Sequence, residues 1–140
     1  VLCPFDNFSF GPIATETAED RIQWVEDVLR YIGWEDVTDS SQEFLAAFDG
    51  PKTFVTAWVS RKETRTYAGF LWWLSHIGDL QISIIEVAEL SIMNPENMVD
   101  LFDNAVPLQS VDRARYSARW EQLRAENAPL RVIGFRLDRC

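Results

Sequence analysis

Six residues have the types and the placement to hold a small anion. Asp6, Asn7 and Ser9 lie in an aromatic-rich loop ending in Gly11–Pro12. Ser60, Arg61 and Arg65 lie where an apolar strand pattern gives way to a helix, with Lys62 between them. The free N–H groups and dipole of a helix start favour negative charge. If both segments leave parallel strands at their C-terminal ends, they meet on one edge of the sheet, where open α/β folds bind ligands. The expected ligand bears a phosphate or a carboxylate. In the empty site, Asp6 is expected to contact Arg61 or Arg65 directly. No glycine-rich loop accompanies these residues, so a backbone phosphate cradle has no motif here.

The remaining polar candidates have ordinary readings. His76 and Asp79 end a helical pattern, and a cation at a helix C-terminus is favoured by the dipole. His76 is expected partly exposed, with no serine or cysteine in hydrogen-bond reach, which argues against a nucleophilic triad. Glu86 and Glu89 stand near a strand end, but two carboxylates without further spaced oxygen ligands make a poor cation site. Cys3 and Cys140 form no CxxC pair, and the single histidine leaves zinc without a ligand set. A disulfide between the chain ends is geometrically open. Two free thiols in a reducing compartment are the simpler expectation. No metal or cofactor is expected.

Several elements must position these groups. Val1–Pro4 reads as the tail of a truncated strand; the chain opens on Val1 rather than methionine, so an N-terminal piece is expected to be missing. Thr17 and Asp20 resemble a capping box before a helix whose Ile22, Val25, Leu29 and Ile32 recur at helical spacing, with Gly33 as its stop. Ser40 and Glu43 predict a second helix, carrying Phe44, Leu45 and Phe48 and broken by Gly50–Pro51. Thr53–Val59 is nearly continuously apolar, as suits an interior strand covered on both faces, with Trp58 largely buried. Ser60 and Glu63 form a third box before a helix bearing Tyr67, Phe70, Leu71, Leu74 and Ile77. On that helix one of Trp72 and Trp73 is expected in the core and the other against a neighbour.

Ile82–Val87 predicts a second strand, and the strand–helix–strand unit implies a parallel pair. Asn94 and Pro95 open a helix to about Asn104, and Met93–Leu108 reads as a hinge. Ser110 starts the last helix, with Tyr116, Trp120 and Leu123 as its core stripe, and Leu130–Leu137 reads as a final strand. The expectation is an α/β fold: three layers, a mostly parallel sheet flanked by helices, and a C-terminal helix–strand unit. Residues 1–92 form the body, and 93–140 an extension packed on it as one structural unit.

The 140 residues suffice for one domain with its own core, and 47% hydrophobic with 25% charged residues is a globular composition. A net charge of −9 argues against nucleic acid and against anionic lipid. No apolar run approaches the length of a membrane helix, and no signal peptide precedes the first element. The charge is uneven. Residues 1–60 carry eleven acids and three bases, whereas 110–140 carry four acids and seven arginines. The two ends either neutralise each other, or present an acidic face to a basic partner and an arginine patch to an anion.

Asp6–Asn7–Phe8–Ser9–Phe10–Gly11–Pro12, Trp58–Val59–Ser60–Arg61 and Tyr67–Ala68–Gly69–Phe70–Leu71–Trp72–Trp73–Leu74 together resemble the bacterial domain-of-unknown-function family eighteen thirty-five. Arg113, Tyr116, Trp120 and Asn127–Ala128–Pro129–Leu130–Arg131 resemble the start of its C-terminal companion, family thirty-six fifty-eight. The resemblance implies an α/β fold and a bacterial cytoplasmic protein, and it supplies no reaction. Family members begin with a strand and a Gly-Asp-Ser turn that are absent here. Many also carry acidic and histidine residues where this chain has Ser60, Arg61 and Lys62. The sequence therefore leans away from an enzyme. It favours a non-catalytic binding or regulatory domain with an acidic face for a basic protein, an immunity or antitoxin-like role being one version. The alternative is an enzyme or sensor for a small anionic ligand at Asp6, Asn7, Ser9, Ser60, Arg61 and Arg65.

Overall fold

Apolar runs place the two longer strands, and the sheet shows it first. The computed structural model describes residues 2–4, 6–15, 17–50, 54–87 and 95–131, with 95–98 by their backbone. Strand β1 (Val55–Val59) pairs in parallel with β2 (Ile82–Glu86), from Val55 opposite Ile82 to Val59 opposite Glu86. Helix α3 (Thr64–His76) makes the crossover that two parallel neighbours require. A two-residue strand, β3 (Val106–Pro107), pairs antiparallel on the other side of β2.

Three helices complete the order: α1 (Ala18–Trp24) and α2 (Glu35–Ala46) before the sheet, α4 (Pro95–Phe102) between β2 and β3. A fourth, α5 (Ser110–Glu126), follows β3. The class is α/β, with a small mixed sheet in the order β1-β2-β3. The expected interior position of Thr53–Val59 is therefore corrected: among the described strands, β2 is central and β1 stands at the end. Pro107 explains why β3 escaped notice, since a proline lacks the N–H of a central strand and suits an edge.

The core is built around α3. Seven consecutive residues, Ala68–Leu74, are buried, because this helix is covered on nearly every side. Val59 and Ile82 meet it from the sheet, Trp120 and Leu123 from α5, and Phe8 and Ile13 from the N-terminal loop. Both tryptophans are core residues. Trp72 stacks on Phe8 at 4.5 Å, while Trp73 packs against Phe48 at 5.3 Å. Trp58 points to the opposite face and is only half-buried, edge-on to Phe102 of α4 at 5.3 Å.

Four boundaries differ from the expected ones, each for a local reason. Thr17 makes no side-chain cap; Asp20 instead accepts from the Thr15 hydroxyl at 2.7 Å. After Trp24 the chain widens into a π-helical turn, Val25–Leu29, and stops at Arg30 in the left-handed region (φ 56°), so helical spacing never carries Ile32 to the core. Helix α2 starts at Glu35, before Ser40. The Ser40 and Ser41 hydroxyls donate back to the carbonyls of Asp36 and Val37 inside the helix rather than capping it. Glu63 stands at the N-cap position of α3 without a side-chain cap bond and accepts from the Thr66 hydroxyl at 2.9 Å, while Ser60 is fully buried just after β1.

Leu2–Pro4 is not a strand. Leu130 makes one antiparallel bridge to Phe10, and Arg131 donates its N–H to Ser9. The rest of the expected final strand, residues 132–137, lies outside the described residues.

Candidate functional site

The N-terminal loop holds three of the six expected ligand residues, and it uses them internally. The Asn7 side chain accepts from the Ser9 N–H at 3.1 Å and the Ser9 hydroxyl at 2.6 Å, closing a local turn. Asp6 is buried and pairs with Arg21 of α1 through two bonds: Nη2 to Oδ1 at 2.6 Å and Nε to Oδ2 at 2.9 Å. Arg21 also donates to the carbonyls of Phe10 and Pro12, at 2.9 and 3.0 Å. Its guanidinium lies 5.0 Å from the Phe8 ring centre.

A second buried guanidinium, Arg131, donates to the carbonyls of Phe8 and Gly11 at 3.2 and 2.6 Å. Burial, reinforced by the nearby Arg21, pushes it down to about 10. At neutral pH it is still charged. Gly11 (φ 73°) takes a backbone conformation that side chains rarely adopt, and a Cβ there would lie a tight 3.1 Å from the Trp24 ring. This loop is a clamp that ties residues 6–12 to α1 and to the end of the chain.

The expected meeting of Asp6 with Arg61 or Arg65 is thus corrected, because Asp6 bonds Arg21 and does not follow a strand. Arg61 finds other partners. It donates from Nη2 to the Tyr116 hydroxyl at 2.7 Å, and its Nε lies 3.4 Å from Glu86 Oε2. That pair is about two-fifths exposed on each side, and exposed pairs are worth about 0–1 kcal/mol. Val59 and Glu86 are the last residues of the parallel strands, so Arg61 does stand beyond their C-terminal ends.

Tyr67 of α3 packs edge-on to Tyr116 of α5, with centroids 6.4 Å apart. Burial first, and then Tyr116, raises the Tyr67 phenol above its ordinary value, while Arg61 and Arg119 pull it back. Arg65 is exposed. Tyr67, Tyr116 and Arg119 were not among the residues expected here. Their signal was the aromatic stripe of two helices, which does not reveal that α5 lies against α3.

His76 is exposed at the end of α3, but a serine is in reach, against expectation: Ser75 Oγ lies 3.0 Å from Nδ1. The pair is not a catalytic dyad. The Ser75 hydroxyl donates to the Trp72 carbonyl at 2.6 Å, and Nδ1 sits 2.8 Å from the same carbonyl. An acceptor at that distance requires a proton on Nδ1, which leaves no lone pair there for the serine proton.

A cavity of about 70 Å³ reaches from Asp6 and Arg21 to Thr38, Ser41 and His76. Ligand sites for metabolites are several hundred Å³. Among the described residues, no three of His, Cys, Asp and Glu gather as a metal site, and no helix is long and apolar enough to cross a membrane. Cys3 is a free, exposed thiol, whereas Glu89 and Cys140 lie outside the described residues.

One group of exposed apolar residues lies on the π turn and the loop between it and α2. Val28 is 56% exposed, Tyr31 57% and Ile32 86%, and Leu29 is exposed with them. Exposed acids stand on either side in the chain: Asp27 before the group, Glu35, Asp36, Asp39 and Glu43 after it. Among the described residues, none of these acids enters an ion pair. The segment is also the least regular: a π turn, Arg30 in the left-handed region, and Gly33 at φ 90°.

Comparison with protein-family models, curated proteins and solved structures finds no match. The family resemblance rests on the quoted motifs alone.

Proposed function

We propose that this chain is a non-catalytic protein-binding domain that docks a basic partner on the face formed by α1, the π turn and α2. One observation carries the reading: four large apolar residues, Val28, Leu29, Tyr31 and Ile32, are exposed together around Arg30, and among the described residues the acids flanking them enter no ion pair. Protein interfaces combine an apolar centre with a polar rim, and an isolated folded chain seldom leaves such a group in water. The acids choose the partner's charge and speed its approach, while the apolar residues hold it. A protein that occupies and blocks a basic partner, as an immunity or antitoxin protein does, has this requirement.

The test is capture from a lysate of the producing cells, followed by elution as ionic strength rises from about 0.05 to about 0.5 M. The expected result is a basic protein that elutes progressively with salt. The same protein should not bind a chain carrying Asp27→Lys, Glu35→Lys and Asp36→Lys. A protein that stays bound regardless of salt, or that the charge-reversed chain retains, contradicts the proposal, and so does the absence of any captured protein.

A further inference from the structure

We infer that the cluster of Arg61, Tyr67 and Tyr116, at the C-terminal ends of the two parallel strands, binds the phosphate group of a small phosphate monoester, with Glu86 as the group it displaces. It rests on different residues from the docking face, so either reading can fail alone.

Four observations support it. First, residues 60–65 carry three bases against one acid in a chain of net charge −9. Second, Arg61 is already oriented. The Tyr116 hydroxyl holds Nη2 at 2.7 Å, and the guanidinium lies 5.8 Å from the Tyr116 ring centre, so little side-chain freedom is left to lose on binding.

Third, the Tyr67 hydroxyl makes no hydrogen bond to a described residue, yet it lies within the fields of Arg61 and Arg119. It is a neutral donor beside Tyr116, which also holds Arg61, so an anion at Arg61 can accept from it. Fourth, the carboxylate now near Arg61 is loosely held. Its 3.4 Å contact is longer than a good charged hydrogen bond, and both partners are exposed to solvent.

The donors also choose between anions. A carboxylate is planar and is well served by one arginine fork. Here a guanidinium beyond the end of β1 and a phenol on α3 meet around Tyr116 of α5, and donors on separate elements suit a tetrahedral dianion. The strand-end position is where open α/β sheets receive ligands.

The test is calorimetric titration of the whole chain with inorganic phosphate, a nucleoside monophosphate and a sugar phosphate, each against sodium chloride of matched ionic strength. Saturable binding of at least one phosphate probe is expected, and the tightest of the three separates free phosphate from its esters. Arg61→Ala should weaken that probe by about tenfold or more, and Tyr67→Phe by about threefold. Glu86→Gln should tighten it, because a competing carboxylate has gone. A merely structural Arg61–Glu86 pair cannot produce opposite signs in the two variants. No saturation with any probe, binding that Arg61→Ala leaves unchanged, or weaker binding in Glu86→Gln overturns the site.

Discussion

Asp6→Asn is expected to lower the stability of the fold by about 3–5 kcal/mol, the usual cost of removing one partner from a buried ion pair. The substitution is nearly isosteric, so its effect is electrostatic. Asp6 and Arg21 have side-chain exposures of 2% and 6%, and water cannot replace the lost charge. Worse, Arg21 is close enough to disfavour the charge of Arg131. With Asp6 neutral, two buried cations would face carbonyl dipoles alone among the described residues. Total stabilities of domains are about 5–15 kcal/mol, so this one change is a large fraction of the whole. Urea unfolding at neutral pH measures it. A loss below about 1 kcal/mol would show that the pair is a bystander rather than the clamp on residues 6–12.

The opposite pattern is expected at the docking face. Ile32→Asp combined with Leu29→Asp should weaken the captured partner by about a hundredfold or more, as removal of a central apolar anchor does. Stability should change by no more than about 0.5 kcal/mol for each substitution, because both residues are already in water. Binding by calorimetry and thermal unfolding on the same samples separate the two quantities. Equal affinity with equal stability would mean that the apolar group is ordinary surface.

Local pattern made the sheet and its crossover legible. The apolar runs Val55–Val59 and Ile82–Glu86, with α3 between them, are the parallel pair that their spacing predicted. Trp120 and Leu123 of α5 also lie where their stripe placed them, in the core. Long-range choices were not legible. The spacing of Ile22, Val25, Leu29 and Ile32 is correct for a helix, but the backbone leaves α-helical geometry after Trp24, and only three-dimensional packing decides that. Ser40 looked like a cap because hydroxyls favour caps; inside α2 it satisfies itself on a carbonyl one turn back.

The candidate site failed in one half for a related reason. Placing Asp6 beside Arg61 required a strand at Leu2–Pro4, and none forms there. Arg21 was the true partner, hidden among the charges of an acidic helix. Arg61 itself was placed correctly beyond the strand ends. The grouping of Arg61 with Tyr67 and Tyr116 depends on how α5 lies against α3, which no local pattern encodes.

Hydrogen exchange of the chain, free and bound to the captured partner, tests the central claim most directly. Amides in irregular, exposed segments open locally at low cost, so binding there leaves a large and localised footprint. The account predicts new protection across residues 25–36, through the π turn and into the start of α2, with little change in the already protected α3. Protection that appears elsewhere, with residues 25–36 exchanging as fast as in the free chain, would contradict it.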